Sequence, residues 1–197
     1  MDTKNHFMIN NNINTNFDAI IHLKITFGNQ IKSLFWWFVS IIVVVPGIYI
    51  LYDMRLSDKN NVDLMMLMIW IMIFLIVVYV AFLAIFFHIE YLIRNRNEEY
   101  EIGDGRIIKY KNGIEKIYTY EDINMVLLYL TPSKYGSFMM YTRSHDNYHF
   151  AKIIMKSGEI IYLTSLLYPS GIEEILKKYM PYISYERRKR WLPTTLY

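Results

Sequence analysis

The stretch EEYEIGDGRIIKYKNGIEKIYTY, Glu98–Tyr120, decides how this chain is read. Three short runs, Glu98–Ile102, Arg106–Lys111 and Ile114–Tyr120, are rich in aromatic and β-branched residues. Such side chains suit a pleated, half-buried surface. Gly103-Asp104-Gly105 separates the first two runs and Asn112-Gly113 the second two. Asn-Gly between two such runs predicts a two-residue type I′ turn, because both central positions need positive φ.

The pattern continues toward the C-terminus. Ile123–Leu130 is a longer apolar run closed by Thr131-Pro132-Ser133. Phe138–Arg143, Tyr148–Lys156 and Glu159–Thr164 follow, the last two joined through Ser157-Gly158. Seven short strands at this spacing predict a small antiparallel barrel or sandwich. One helix follows them. Pro169 leads into Ser170, which stands three residues before Glu173 as in a capping box. Ile172, Ile175, Leu176 and Tyr179 share one face, Lys177 and Lys178 suit its last turn, and Pro181 stops it. Its apolar face is expected to plug an open end of the strand layer.

Toward the N-terminus the pattern changes. Ser33–Tyr52 and Leu64–Phe87 are uncharged runs of 20 and 24 residues. As helices, each is long enough to cross the hydrocarbon core of a bilayer, about 30 Å thick. The expectation is a two-helix transmembrane hairpin over 33–88, with Pro46-Gly47 kinking its first helix. Lys24, Lys32, Arg94 and Arg96 flank the runs outside, against Arg55 and Lys59 between them. The positive-inside rule then puts both termini in the cytoplasm. Residues 1–32 form a polar arm with asparagines at 5, 10, 11, 12, 14 and 16. Its second half, Phe17–Lys32, suits either an interfacial helix or a strand that joins the C-terminal domain.

The strand order, closing helix and preceding hairpin resemble the membrane-anchored bacterial pleckstrin-homology-like (PH-like) proteins. Tyr100-Glu101-Ile102, Gly105-Arg106-Ile107-Ile108, Tyr120-Glu121-Asp122-Ile123 and Lys156-Ser157-Gly158-Glu159 carry the likeness, over about 98–181. The resemblance implies a barrel capped by one C-terminal helix, used for binding or assembly and without family-wide catalysis. It also implies a bacterial inner-membrane location. The first hairpin offers only Arg106 beside Asp104, and the closing helix has no tryptophan, so phosphoinositide recognition does not transfer.

Composition narrows the function classes. The 21 Lys+Arg and 18 Asp+Glu leave a net charge of +3, too mild for a nucleic-acid partner. Neither uncharged run holds an ionisable group of the kind that ion or proton pathways need. There is no cysteine, no nucleophile elbow and no phosphate-cradling glycine loop. No catalytic residue, cofactor or metal is expected. His145-Asp146-x-x-His149 has metal-ligand residue types but sits in a turn leading into a strand, with no third histidine near. The densest charge cluster is Arg187-Arg188-Lys189-Arg190-Trp191, in an expected basic tail over 182–197. It is a candidate contact for anionic lipid or a partner. The expected function is a membrane-anchored module that presents its domain to a protein partner or to itself. The alternatives are an anionic-lipid surface sensor acting through the tail, and an accessory subunit of a larger membrane complex.

Overall fold

The computed structural model describes residues 20–57, 64–136 and 147–196. The Asn-rich segment, the expected strand Phe138–Arg143 and the pair His145-Asp146 lie outside them.

The chain starts its sheet before its helices. β1 (Ile21–Lys24) runs into α1 (Phe27–Ser57), α2 (Leu64–Arg94) follows, and β2 (Glu98–Gly103) comes back antiparallel against β1. Ile21 pairs with Ile102 and Lys24 with Glu99, so the helices stand where a hairpin loop would be. A long insertion there is tolerated because closure entropy grows only slowly with loop length. Thr26 caps α1 by accepting the Asn29 N–H at 3.1 Å.

β3 (Arg106–Lys111) and β4 (Ile114–Thr119) complete a sheet ordered β1-β2-β3-β4. Both expected turns form. Asp104-Gly105 has φ of 47° and 72°, and Asn112-Gly113 has 51° and 79°. A short turn over Tyr120–Asp122 leads into β5 (Ile123–Leu130), with Asp122 accepting from the Thr119 backbone and hydroxyl. β6 (Phe150–Met155), β7 (Ile160–Thr164), α3 (Ile172–Tyr179) and β8 (Tyr185–Lys189) complete the order. The second sheet is ordered β7-β6-β5-β8, with β8 parallel to β5.

Three expectations are corrected here. The described strands form two four-stranded sheets rather than one seven-stranded barrel that follows the helices. β8, from the segment expected as a tail, edges the second sheet, and β1 edges the first, which is the strand alternative given for Phe17–Lys32. Nor, among the described residues, is there a hairpin of two membrane-crossing helices. Among the described residues one helix, Met68–Arg94, is long and apolar enough to cross, with mean hydropathy 3.0. α1 takes in Lys32, Asp53 and Arg55 and runs through Pro46 without interruption. A third correction concerns α3. Its N-cap is Gly171, with φ of 156° and no side-chain cap, while the Ser170 hydroxyl accepts instead from Lys32 Nζ at 3.3 Å.

Two buried clusters explain the strand sequences. In the first, Tyr100, Ile107, Val126, Leu128, Ile153 and Leu163 of the two sheets meet Ile172 and Leu176 of α3. In the second, Ala84, Phe87 and Tyr91 of α2 pack on Leu127, Tyr129 and Phe150. β5 is therefore covered on both faces, which is why it reads as a continuous apolar run instead of alternating.

Candidate functional site: the root of the helices and the basic edge strand

The lower end of α2 is fastened to the domain by a polar network. Tyr91 Oη donates to the Pro193 carbonyl at 2.6 Å. Arg94 donates to the Thr195 carbonyl at 2.8 Å and lies 4.1 Å from the Tyr162 ring centroid. Glu90 Oε1 accepts from both Thr194 and Thr195. Buried Asn95 donates to the Tyr162 carbonyl and accepts from Thr164 Oγ1 at 2.7 Å. These contacts link α2 to β7 and to the segment after β8, so α2 cannot swing without disturbing the second sheet.

Beside this network is a buried carboxylate. Glu98 takes Lys109 at 2.8 Å, Lys111 at 2.9 Å and the Tyr100 hydroxyl at 2.6 Å. Burial alone would raise its pKa. The hydrogen bonds from Lys109, Tyr100 and Lys111 outweigh that and lower it to about 2. The group is structural, and the sequence shows it only as one member of a Glu-Glu pair.

A cavity of about 540 Å³ opens where α2 meets the starts of the paired strands. Ile25, Ile89, Leu92 and Ile93 give it an apolar wall, and Lys24 and Arg96 stand at it. Among the described residues neither cation has an ion-pair partner. Ile89 and Ile93 are 52% and 71% exposed. Glu98 and Glu99 line the cavity as well, so its cations and carboxylates are equal in number.

The Arg187–Trp191 cluster is placed differently from its expected place in a tail. Arg187, Arg188 and Lys189 lie in β8, and the Arg190 N–H continues the pairing onto the Leu130 carbonyl. The two-residue period of a strand splits the cations. Arg188 and Arg190 both approach the Tyr129 ring, at 5.9 and 5.0 Å. Arg187 instead meets Glu173 of α3 at 3.2 Å and the Tyr135 ring at 5.1 Å. Trp191 is half-exposed beside them. The cluster is thus two smaller groups on opposite sides of a sheet edge.

His149 is buried. Its Nδ1–H donates to the Asn147 carbonyl at 2.9 Å, which leaves Nε2 without a hydrogen-bond partner among the described residues. Desolvation, then the Lys134 charge, lowers its pKa to about 4, so the ring is neutral. Among the described residues no three His, Asp or Glu side chains converge to hold a metal ion.

Two packed sheets with a helix across one end define the class of fold. Residues 22–173 match the family model described as a PH domain, and the chain belongs to that family. The match starts at β1 and includes both long helices, in agreement with their insertion within the domain. PH domains are in general non-catalytic binding and scaffold modules. No curated protein and no solved structure matches the chain.

Proposed function

We propose that this protein is a non-enzymatic, membrane-associated PH-domain module that presents the domain at the bilayer surface to a protein partner or to another copy of itself. One observation carries the reading. The apolar helix segment Met68–Arg94 is only 6% buried over its most apolar stretch, yet its end is locked into the domain. Ile71, Leu75, Ile76, Tyr79 and Phe82 are exposed along it. So large a bare apolar surface needs lipid or protein around it. The cavity at the root, with Lys24 and Arg96, would then lie at headgroup depth. The proposed location is a bacterial inner membrane with the domain on its cytoplasmic side.

Alkaline carbonate extraction of membranes from expressing cells tests this. The protein should stay in the pellet. Ile76→Arg with Phe82→Arg should release it, since each arginine at mid-bilayer depth costs about 3 kcal/mol on insertion scales. Release of the unaltered protein by carbonate would refute membrane embedding and favour a protein cover, as in an accessory subunit of a larger complex.

A second reading assigns lipid contact to Arg188, Arg190 and Trp191. Its support is that Arg188 lies on the edge strand, Arg190 continues its pairing, and Trp191 just beyond is half-exposed. Reversing Arg188 and Arg190 to Glu should then weaken binding of the protein to anionic vesicles and remove its salt dependence.

A further inference from the structure

A second cavity lies at the other end of β2, about 20 Å from the helix root by strand rise. It measures about 330 Å³ and is bounded by the Asp104-Gly105 turn, Tyr120, and the segment after α3. Tyr120, Tyr179 and Tyr182 bring three aromatic rings to it, with Met180 and Ile183 as apolar floor. Asp104 is its one acidic residue, and no basic residue lines it. Arg106 reaches the Asp104 carboxylate only at 4.0 Å, and Lys178 lies 5.3 Å from the Tyr179 centroid, both from outside the lining. The Tyr120 hydroxyl is buried and has no hydrogen-bond partner among the described residues. A buried hydroxyl in that state is costly unless something supplies the bond.

We propose that this cavity is a binding site for a small organic cation, an alkylammonium compound that also carries a hydroxyl, of which choline is the simplest probe. The rings offer negative π-faces to a desolvated cation. Asp104 supplies the opposing charge, and an anion would be repelled by it. The ligand hydroxyl meets the Tyr120 hydroxyl. Plain apolar ligands would leave both polar groups unmatched. Because the cavity and the helix root lie at opposite ends of β2, the proposed source is a dissolved cation rather than a headgroup of the membrane that holds α2. This site does not depend on the membrane reading.

The experiment is a calorimetric titration of the full-length protein, in phosphatidylglycerol nanodiscs, with choline chloride. The probe for comparison is 3,3-dimethylbutan-1-ol, which has the same shape without the charge. Choline should saturate with a Kd on the order of 1 mM, at least about tenfold tighter than the alcohol. Asp104→Asn should weaken choline severalfold. Asparagine accepts the φ of 47° at this turn, so the variant keeps the fold. Tyr179→Leu should weaken choline and leave the alcohol unchanged. Equal binding of the two probes, no saturation, or an unaffected Asp104→Asn variant overturns the proposal. Repeating the titration in phosphatidylcholine nanodiscs tests the source. Unchanged affinity supports a dissolved cation, and loss of choline binding there means that the lipid headgroup fills the site.

Discussion

The two sheets and the two helices are built from similar apolar residues and treat them in opposite ways. Ile102, Ile107, Ile153, Ile161 and Leu163 are fully buried, while Ile71, Leu75 and Ile76 on α2 are half-exposed or more. The strands bury apolar faces against each other and against α3. α2 is fully buried only in its last turns, through Ala84, Phe87 and Tyr91, and exposes residues such as Ile71, Leu75 and Ile76 above them. The lesson is that hydropathy alone does not separate a core from a surface awaiting a partner. What separates them here is whether a second apolar face is present in the chain to cover the first.

The sharpest way to break that contrast is to shave the same residue type in both regions. Leu163→Ala, in the core, should cost about 3–4 kcal/mol in denaturant unfolding of the detergent-solubilised protein. Leu75→Ala, 59% exposed on α2, should stay within about 0.5 kcal/mol in the same assay. Similar losses at both sites would mean that α2 is covered by protein after all.

Buried carboxylates make the next contrast: Glu90 of α2 takes hydrogen bonds from Thr194 and Thr195, whereas Glu98 is held by Lys109 and Lys111. Glu98→Gln should cost about 3 kcal/mol at neutral pH, because it strands Lys109 beside a neutral amide. The pH profile should carry two signatures. Glu98 has a folded pKa of about 2 against an ordinary 4.5, so its stabilisation is complete above 4.5 and is lost as pH falls toward 2. His149 is lowered from 6.5 to about 4, so the unfolded chain takes up its proton first, and stability falls between those values on acidification. His149→Gln should flatten the upper part of the fall and Glu98→Gln the lower part, as followed by thermal unfolding across pH.

Glycine gives the smallest and cleanest contrast, because the sign should reverse. Gly113 has φ of 79° in the hairpin turn, and Gly113→Ala should cost about 1 kcal/mol although space for the methyl is open. Gly47 lies inside α1, also with open space, and Gly47→Ala should stabilise by up to about 1 kcal/mol through helix propensity. Equal effects of one sign would show that the turn does not hold its left-handed geometry in solution.

Local chemistry made much of this legible in advance. The turns at 104–105 and 112–113 need residues that tolerate positive φ, and those residues are there. The apolar stripe Ile172, Ile175 and Leu176 pointed to a helix lying over the core, which is where α3 packs. The misses were all at a distance along the chain. Gly171 stands at the N-cap of α3, and the Ser170 hydroxyl accepts from Lys32 of α1, a partner that no local motif can reveal. The basic cluster resembled a tail because its charges hid the strand pairing of Tyr185–Lys189 with β5. The continuous apolar run of β5 was the one signal that a second layer would cover it.

By itself, then, the sequence determined the elements whose signals are short-range: six strands, two hairpin turns, a closing helix and two long helices. Turn dihedrals and apolar periodicity are properties of a few neighbouring residues, and they can be read there. The tertiary structure alone decided that the helices interrupt the first sheet, that β1 edges it in place of an interfacial helix, that β8 edges the second sheet, and that Glu98 is a buried ion-pair centre. Each of these depends on backbone or charge pairing between residues far apart in the chain, and the free energy of that pairing has no signature in either partner taken alone.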